Sequence, residues 1–274
     1  MENKNIVVLK HHPRDLKKNN PFYLHQVDDD LSEYIVIDVT SRVIRDKEFI
    51  KEHPNFEKDL SPFYIGPVIS SDGVKANIFE IFWQCGKVYP PHDDNGQPNK
   101  EFFIWRNGFY EQEKVTKSLM RHACEDLGYK NSDCLYFAYF DKDKKQYIPL
   151  NYVEARKRVY IKEYVKLIYN SESFKWLQSL VNQGKKIALL DFDGFNYYSE
   201  TAMKKRYASY INKCKENKWP IILKEEDFLN IKTIKDAVNC SFMPVGHGFA
   251  IKMLLEGDIK VVNNEVVDNN HLLD

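Results

Sequence analysis

Two kinds of hydrophobic run alternate along the chain, and they predict different elements. Short apolar, β-branched runs at 5–10 (NIVVLK), 33–41 (EYIVIDVTS) and 185–195 (KKIALLDFDGF) predict strands, and CLYFAYF at 134–140 predicts a buried strand or apolar segment. Longer stretches with helical spacing predict helices over 114–128, 152–170, 173–184, 202–220 and 244–258. Gly128 and Gly184 close two of them, and Pro220 stops a third. The segment 13–21 reads as a short helix or turn, and the charged stretch 42–60 as an exposed helix or loop. Prolines and glycines make 60–73 an irregular ordered segment, and 89–100 a polar loop too long for a plain connector. Asn263–Asn264 predicts a terminal hairpin over 259–268. No internal repeat or low-complexity linker interrupts the series. The reading is therefore one mixed α/β domain (α+β in character) over 1–274, with helices surrounding a small mixed sheet.

One stretch breaks the usual helical pattern. In NIFEIFWQCGKV (77–88) Ile78, Phe79, Ile81, Phe82, Trp83, Cys85 and Val88 are apolar, while Glu80, Gln84 and Lys87 are polar. At about 100° per residue these three share one narrow stripe, the inverse of a surface helix. Part of the pattern has a purely structural explanation. Asn77 as N-cap with Glu80 three residues on resembles a capping box, and Lys87 complements the helix dipole. Gln84 is left unexplained by it. The other explanation is a polar pocket cut into the core, where a buried carboxylate needs an amide and an ammonium beside it. Such a carboxylate suits a positively charged transition state, as in glycosidic cleavage.

Composition narrows the classes. Lys+Arg and Asp+Glu both number 40, so no global basic field draws the chain to nucleic acid. Five scattered cysteines contain no CxxC pair, which fits reduced thiols in a cytosol rather than a zinc ribbon. The opening MENKNIVVLKHH has no signal-peptide core, and no apolar run reaches the ~18 residues that span a bilayer. The expectation is a soluble intracellular protein without membrane association. Neither GxGxxG nor GxxxxGK[ST] is present.

Several further residues are candidates for chemistry. Trp105, beside Arg106, is placed to stack on a base or to sit in the core. Trp83 reads as core. Asp191 and Asp193 in DFDG lie at i and i+2 at the end of an apolar strand, where ligand clefts form, although Asp193–Gly194 also favours a plain bend. His247, between two glycines before a helix, is placed to meet a phosphate or to serve a turn. In EARKRVYIK, Arg156 is expected near the Tyr160–Tyr164 face, where it would suit a phosphate, and Lys157 in solvent. His92 with Asp93–Asp94, and His11–His12, sit in polar loops without partners at ligand spacing and read as solvated. No metal is expected.

The blocks LSPFYIGPV and FEIFWQCGKV together resemble the start of the NADAR family, N-glycosidases that include enzymes removing ADP-ribose from guanine. The shared pattern is a Ser-Pro turn, here Ser61–Pro62, and then E-x-x-x-Q-x-x-K, here Glu80, Gln84 and Lys87. Ile81 stands where the family has histidine, and Gly246-His247-Gly248 where it has Gly-x-Asn. Looser likenesses are Trp105 with Lys114, Val115 and Met120, the strand leading to Asp193, and GHGFAIKMLLEG. The resemblance spans 60–258, leaving 1–59 as an N-terminal extension and 259–274 as a terminal hairpin and tail. The chain is also similar to an uncharacterised bacterial and phage family through Ile37–Ser41, Ser61–Tyr64, Glu80–Val88 and Ala155–Tyr160. An abundance of Lys, Asn, Ile and Tyr fits such a source, and then a host cytoplasm.

The resemblance implies a NADAR-like fold and a cofactor-free enzyme acting on an N-ribosylated base: ADP-ribosylated guanine, free or in nucleic acid, or a ribosylamino nucleotide. It implies Glu80 and Asp193 as catalytic carboxylates. Gln84 would orient the ribose or the carboxylate, Lys87 neutralise charge or hold a phosphate, and Trp105 stack on the base. Arg156 and His247 would be further substrate contacts. Two alternatives remain open: a phage-type glycosyl transferase that modifies DNA or nucleotide bases, and a non-catalytic module that binds nucleotides or a protein.

Overall fold

Parallel strands need cover on both faces, so their sequences run continuously apolar. Ile6–Lys10, Tyr34–Asp38 and Lys186–Asp191 meet this condition and form a parallel three-stranded sheet with Lys186–Asp191 in the middle. Val7 and Val36 both pair with Ala188, which fixes the register. The computed structural model describes residues 5–10, 31–40, 47–115 and 123–274 of the chain. The expected turn at 13–21, His11–His12, Met120 and the middle of the expected helix at 114–128 lie outside the described residues. The architecture is mixed α/β with small sheets. It divides into two compact units, one of residues 1–51 and 175–274, the other of residues 52–174. The stretch 60–258 contributes to both.

In the first unit, Val7, Leu9, Ala188 and Leu190 cluster on one face of the sheet with Tyr34 and Tyr198. The helix His247–Glu256 is buried almost all round, including Lys252. A buried ammonium requires all its donors to be used. Lys252 Nζ donates to the Ile6 carbonyl at 2.7 Å, to Glu256 Oε1 at 2.6 Å and to the Tyr198 hydroxyl at 3.4 Å. Gly194 follows the central strand so tightly that a Cβ there would lie 2.3 Å from the Leu9 carbonyl oxygen. The hairpin Ile259–Val262/Glu265–Asp268 forms as expected, with Asn263 and Asn264 at φ 51° and 62°, as a two-residue primed turn requires. Two short helices, Glu225–Leu229 and Ile234–Asn239, add to this unit.

In the second unit, Lys87–Val88, Tyr136–Asp141 and Gln146–Leu150 form an antiparallel sheet. Helices Phe79–Cys85 and Lys100–Tyr110 belong to the same unit. The expected long helix at 152–170 is present as Tyr152–Ala155 and Lys162–Ile168 joined by a π-helical turn, Arg156–Ile161. That wider turn rotates the expected faces. Lys157, expected in solvent, is buried with Arg156, and Tyr152 is exposed. Within the charged stretch 42–60, the described residues form helix Lys47–Glu52, nearly all of it in the first unit, and helix Phe56–Leu60 in the second, with Phe56 and Leu60 buried. Lys114 and Val115 are not helical, and among the described residues of that stretch a 3-10 turn, Ala123–Leu127, runs up to Gly128. Among the described residues, no helix is long and apolar enough to cross a membrane.

The helix Lys100–Tyr110 carries an arginine in its buried stripe: Phe102, Arg106 and Tyr110 all face inward. Arg106 Nη2 donates to Asp72 Oδ2 at 2.7 Å, and its guanidinium lies over Phe102, Phe103 and Tyr110. The Ser70 and Tyr147 hydroxyls also donate to Asp72. Burial by itself would raise the Asp72 pKa, but these hydrogen bonds and the Arg106 charge outweigh it and hold the carboxyl below its usual range. Removing Arg106 leaves the half-buried Asp72 without its counter-charge but still bonded to two hydroxyls, at a cost of about 1–3 kcal/mol. Arg106→Met is therefore expected to lower the denaturant midpoint by that equivalent. Because the Asp72 pKa is depressed in the fold, its contribution is present above the ordinary carboxylate pKa. It is lost as pH falls through the lower folded value. Unfolding measured from pH 6 to pH 2 should show a steeper acid loss in the native chain than in Asp72→Asn.

Candidate functional site

The helix Phe79–Cys85 begins without a side-chain cap. Ile78 occupies the N-cap position, and the Phe79 and Glu80 amides donate to the Ile65 and Pro62 carbonyls at 2.9 Å each. The Ser61–Pro62 turn thus satisfies the orphan donors that a capping residue usually serves. Within that turn, the Phe63 amide donates to Ser61 Oγ at 3.2 Å. Asn77 is not the cap expected from its spacing. Its backbone amide donates to the Tyr110 carbonyl at 3.0 Å and its side-chain amide to the Glu111 carbonyl at 2.9 Å, fastening this helix start to the end of Lys100–Tyr110. A Cβ at Gly66 would meet the Asn77 carbonyl oxygen at 2.2 Å, so glycine permits this approach.

The helix also ends earlier than expected. It stops at Cys85, and Lys87 belongs to the strand Lys87–Val88. The residue between them must be glycine: a Cβ at Gly86 would sit 2.3 Å from the Phe137 ring, which packs over it. Phe137 pairs with Lys87 across the sheet and stacks on Trp83 at 5.1 Å. Trp83 is core, as expected. Phe79 and Trp83 both pack on Tyr160, at 5.2 and 5.0 Å, which seats the π-helical turn against this helix.

The three polar groups of the stripe meet. Gln84 Nε2 donates to Glu80 Oε1 at 2.9 Å, and Lys87 Nζ donates to Gln84 Oε1 at 2.6 Å. An amide between an ammonium and a carboxylate fits only this way round, oxygen to the cation and nitrogen to the anion. Glu80 is buried, and Gln84 and Lys87 are half-buried. Burial pushes the Lys87 ammonium pKa down, against the opposing pull of Cys134, Glu80, Cys124 and Cys85. Asn131 extends the line, its Oδ1 accepting from Lys87 Nζ at 3.5 Å and from the Tyr89 hydroxyl at 3.4 Å. The sequence reading missed Asn131, because a loop asparagine carries no local signal of its role. All five cysteines are free thiols, and the described residues contain no group of three or more metal-ligating side chains.

The other candidates fare unequally. Trp105 is half-buried, with its ring 5.1 Å from His92 and 5.2 Å from Phe109. His92, expected in a solvated loop, is instead buried, because the Pro90–His92 turn folds it against Phe102 and Trp105. Arg156 is buried with its guanidinium 4.4 Å from the Tyr152 ring centre. These groups belong to the 52–174 unit, as do Glu80, Gln84 and Lys87.

Asp193 and His247 belong to the other unit. Asp191 and Asp193 occupy different environments there. Asp191 is buried and accepts from the Gly248 amide at 2.9 Å, so its carboxylate already fills the start of the helix His247–Glu256. That is the place expected for a phosphate. The His247 ring is engaged as well, with Nε2 2.6 Å from the Val39 carbonyl and Nδ1 3.6 Å from Asp191 Oδ1. Since a carbonyl only accepts, Nε2 carries a proton. A Cβ at Gly246 would lie 2.5 Å from Asp191 Oδ2, which explains a glycine beside His247. Asp193 is exposed in the turn after the strand, and its charge favours protonated Arg206, whose guanidinium burial pushes down to about 10. Comparison with protein-family models, curated proteins and solved structures finds no significant match to this chain.

Proposed function

We propose that the protein is an N-glycosidase-like enzyme of NADAR type that acts on an N-ribosylated base, with ADP-ribosylated guanine as the leading substrate class. The observation that carries the reading is the hydrogen-bonded series Glu80–Gln84–Lys87, set into an otherwise apolar helix and the strand that follows it. In this reading the Glu80 carboxylate stabilises the oxocarbenium-like sugar and orients water toward its anomeric carbon. Gln84 holds that carboxylate in place. The Lys87 ammonium, made more acidic than an ordinary lysine by burial, gives a proton to the departing base nitrogen. Arg156, buried in the π-helical turn whose Tyr160 packs on Phe79 and Trp83, supplies positive charge for a phosphate. Atoms balance as water adds its hydroxyl to the anomeric carbon and gives its proton to Glu80, the base leaves with the proton of Lys87, and exchange with solvent returns the proton from Glu80 to Lys87. The proposal rests on the 52–174 unit alone and needs neither Asp193 nor His247.

Mass spectrometry of the purified chain incubated with ADP-ribosylated guanosine, ADP-ribosylated DNA and NAD is expected to show free ADP-ribose from the first two, with guanosine and unmodified DNA as the other products. Glu80→Gln keeps the size and the Gln84 contact but removes the charge, and should lower the rate by about 100-fold or more without shifting the melting temperature appreciably. A mass gain on DNA would instead point to glycosyl transfer, and no change in any substrate would defeat both.

The pH profile gives a second test. Because the Lys87 pKa is lowered, the proton-donating form disappears at a lower pH than for an ordinary lysine. Activity should therefore fall on the alkaline side below the usual lysine range, and Lys87→Arg should remove that limb while slowing the reaction. An alkaline limb unaltered in Lys87→Arg would rule Lys87 out as the proton donor.

A further inference from the structure

His92 Nδ1 and Trp105 Nε1 are both enclosed by protein, and neither has a hydrogen-bond partner. Buried polar atoms are almost always paired, so two adjacent exceptions call for a cause. The two rings lie 5.1 Å apart, centre to centre, at 50°. Their relation is built rather than loose. The Asn99 amide donates to the His92 carbonyl at 3.0 Å, and Asn99 Nδ2 donates to the Pro91 carbonyl at 3.0 Å. Asn99 also caps the helix that carries Trp105, accepting from the Phe102 amide at 3.1 Å. One asparagine thus locks the His92 turn to the Trp105 helix. Phe102 and Phe109 add further aromatic walls around Trp105.

The chemistry of the two atoms is complementary. An indole N–H only donates. His92 is buried away from water, which lowers its pKa against the pull of Glu101, and a neutral imidazole has one accepting nitrogen. A single group that accepts from Trp105 and donates to His92 satisfies both. A hydroxyl or an amide does this, whereas an anion has no proton for His92 and an ammonium no lone pair for Trp105. The pair also lies close in sequence to the Glu80 stripe: Val88, next to Lys87, packs in one apolar cluster with Phe102 and Trp105.

We infer that His92 and Trp105 form a polar slot that receives a neutral hydroxyl or amide group of the substrate handled at Glu80, which makes them binding and specificity residues. This rests on the glycosidase reading for the identity of the substrate, not for the existence of the slot. Access requires movement of the segment bearing His92, which is tied down by the Tyr136 hydroxyl donating to Asp93 Oδ1 at 2.6 Å.

The four tryptophans give four indole N–H resonances in a proton–nitrogen spectrum of the full chain, and Trp105→Phe identifies the one that belongs to Trp105. Titration with guanosine (an amide-bearing base), ribose (hydroxyls only) and inorganic sulfate (an anion with no proton to give) then tests the slot. The expected result is a saturable downfield shift of the Trp105 resonance with guanosine or ribose and none with sulfate. His92→Phe and Trp105→Phe should each weaken guanosine or ribose binding by roughly three- to tenfold, with a melting temperature unchanged or raised, since each removes an unsatisfied atom. A Trp105 resonance unmoved by guanosine and ribose, whether or not other resonances respond, would overturn the inference and leave an internal water as the slot's occupant. A Trp105 shift in a chain that releases no ADP-ribose would keep the slot and discard the glycosidase reading.

Discussion

A polar group taken out of water must find its partner inside the protein, and this one requirement shapes both units. Leaving a buried donor or acceptor unmet costs about 1–3 kcal/mol, and a charge costs more. Gln84 meets the requirement for two charged groups at once, because its amide presents an acceptor to Lys87 and a donor to Glu80. Neither a carboxylate nor an ammonium at that position serves both neighbours. Asp72 meets it for Arg106 with help from two hydroxyls, and Lys252 is met by a carbonyl, a carboxylate and a phenol. Asp191 is met by a helix-terminal amide.

The four arrangements differ in form. Around Asp72 and Lys252 local partners, Ser70 and Glu256, combine with distant ones, Arg106 and Tyr147 or Ile6 and Tyr198, so each charge fastens separate parts of the chain together. The Glu80 series is linear and runs from a buried carboxylate to a half-buried ammonium whose charge is held at a cost, as its lowered pKa records. An ion pair optimised for stability alone would bring the ammonium directly onto the carboxylate. Here a neutral amide stands between them, bonded to both and keeping the two charges apart.

Much of this was legible in the sequence, and the remainder has an identifiable cause. The strands at 5–10, 33–41 and 185–195 were plain because a parallel sheet demands apolar residues at every position, and the Asn263–Asn264 hairpin because its turn needs residues that tolerate positive φ. The Glu80, Gln84 and Lys87 stripe was plain because its neighbours are all apolar. Its geometry was less so. Past the helix end Lys87 pairs with Phe137 in a sheet, and the helix start is met by the Pro62 and Ile65 carbonyls, and neither contact leaves a mark in the local spacing. The same stripe logic applied to Phe102, Arg106 and Tyr110 would have exposed the buried arginine, but not Asp72, which sits in a turn. The division into units was hidden because no change of composition marks it. Lys157 was misplaced because a π-helical turn changes the angle per residue, and nothing in the hydrophobic pattern announces that change.

The glycines show how backbone can substitute for side chains in placing charged groups. Gly246 and Gly248 let the helix His247–Glu256 approach Asp191 until an amide, not a cation, answers the carboxylate. Gly66 lets Asn77 close on the turn that answers the Phe79 and Glu80 amides. In both places a carboxylate stands at the beginning of a helix, yet the consequences diverge. Asp191 comes from outside its helix and terminates it, so its charge is consumed by the fold. Glu80 lies within its own helix, whose first amides are already met by the Ser61–Pro62 segment, so the fold does not require its carboxyl as a cap. Asp191 is thus an acid taken up by the backbone of a neighbouring helix, whereas Glu80 is an acid whose helix is started by other groups and whose carboxyl answers Gln84.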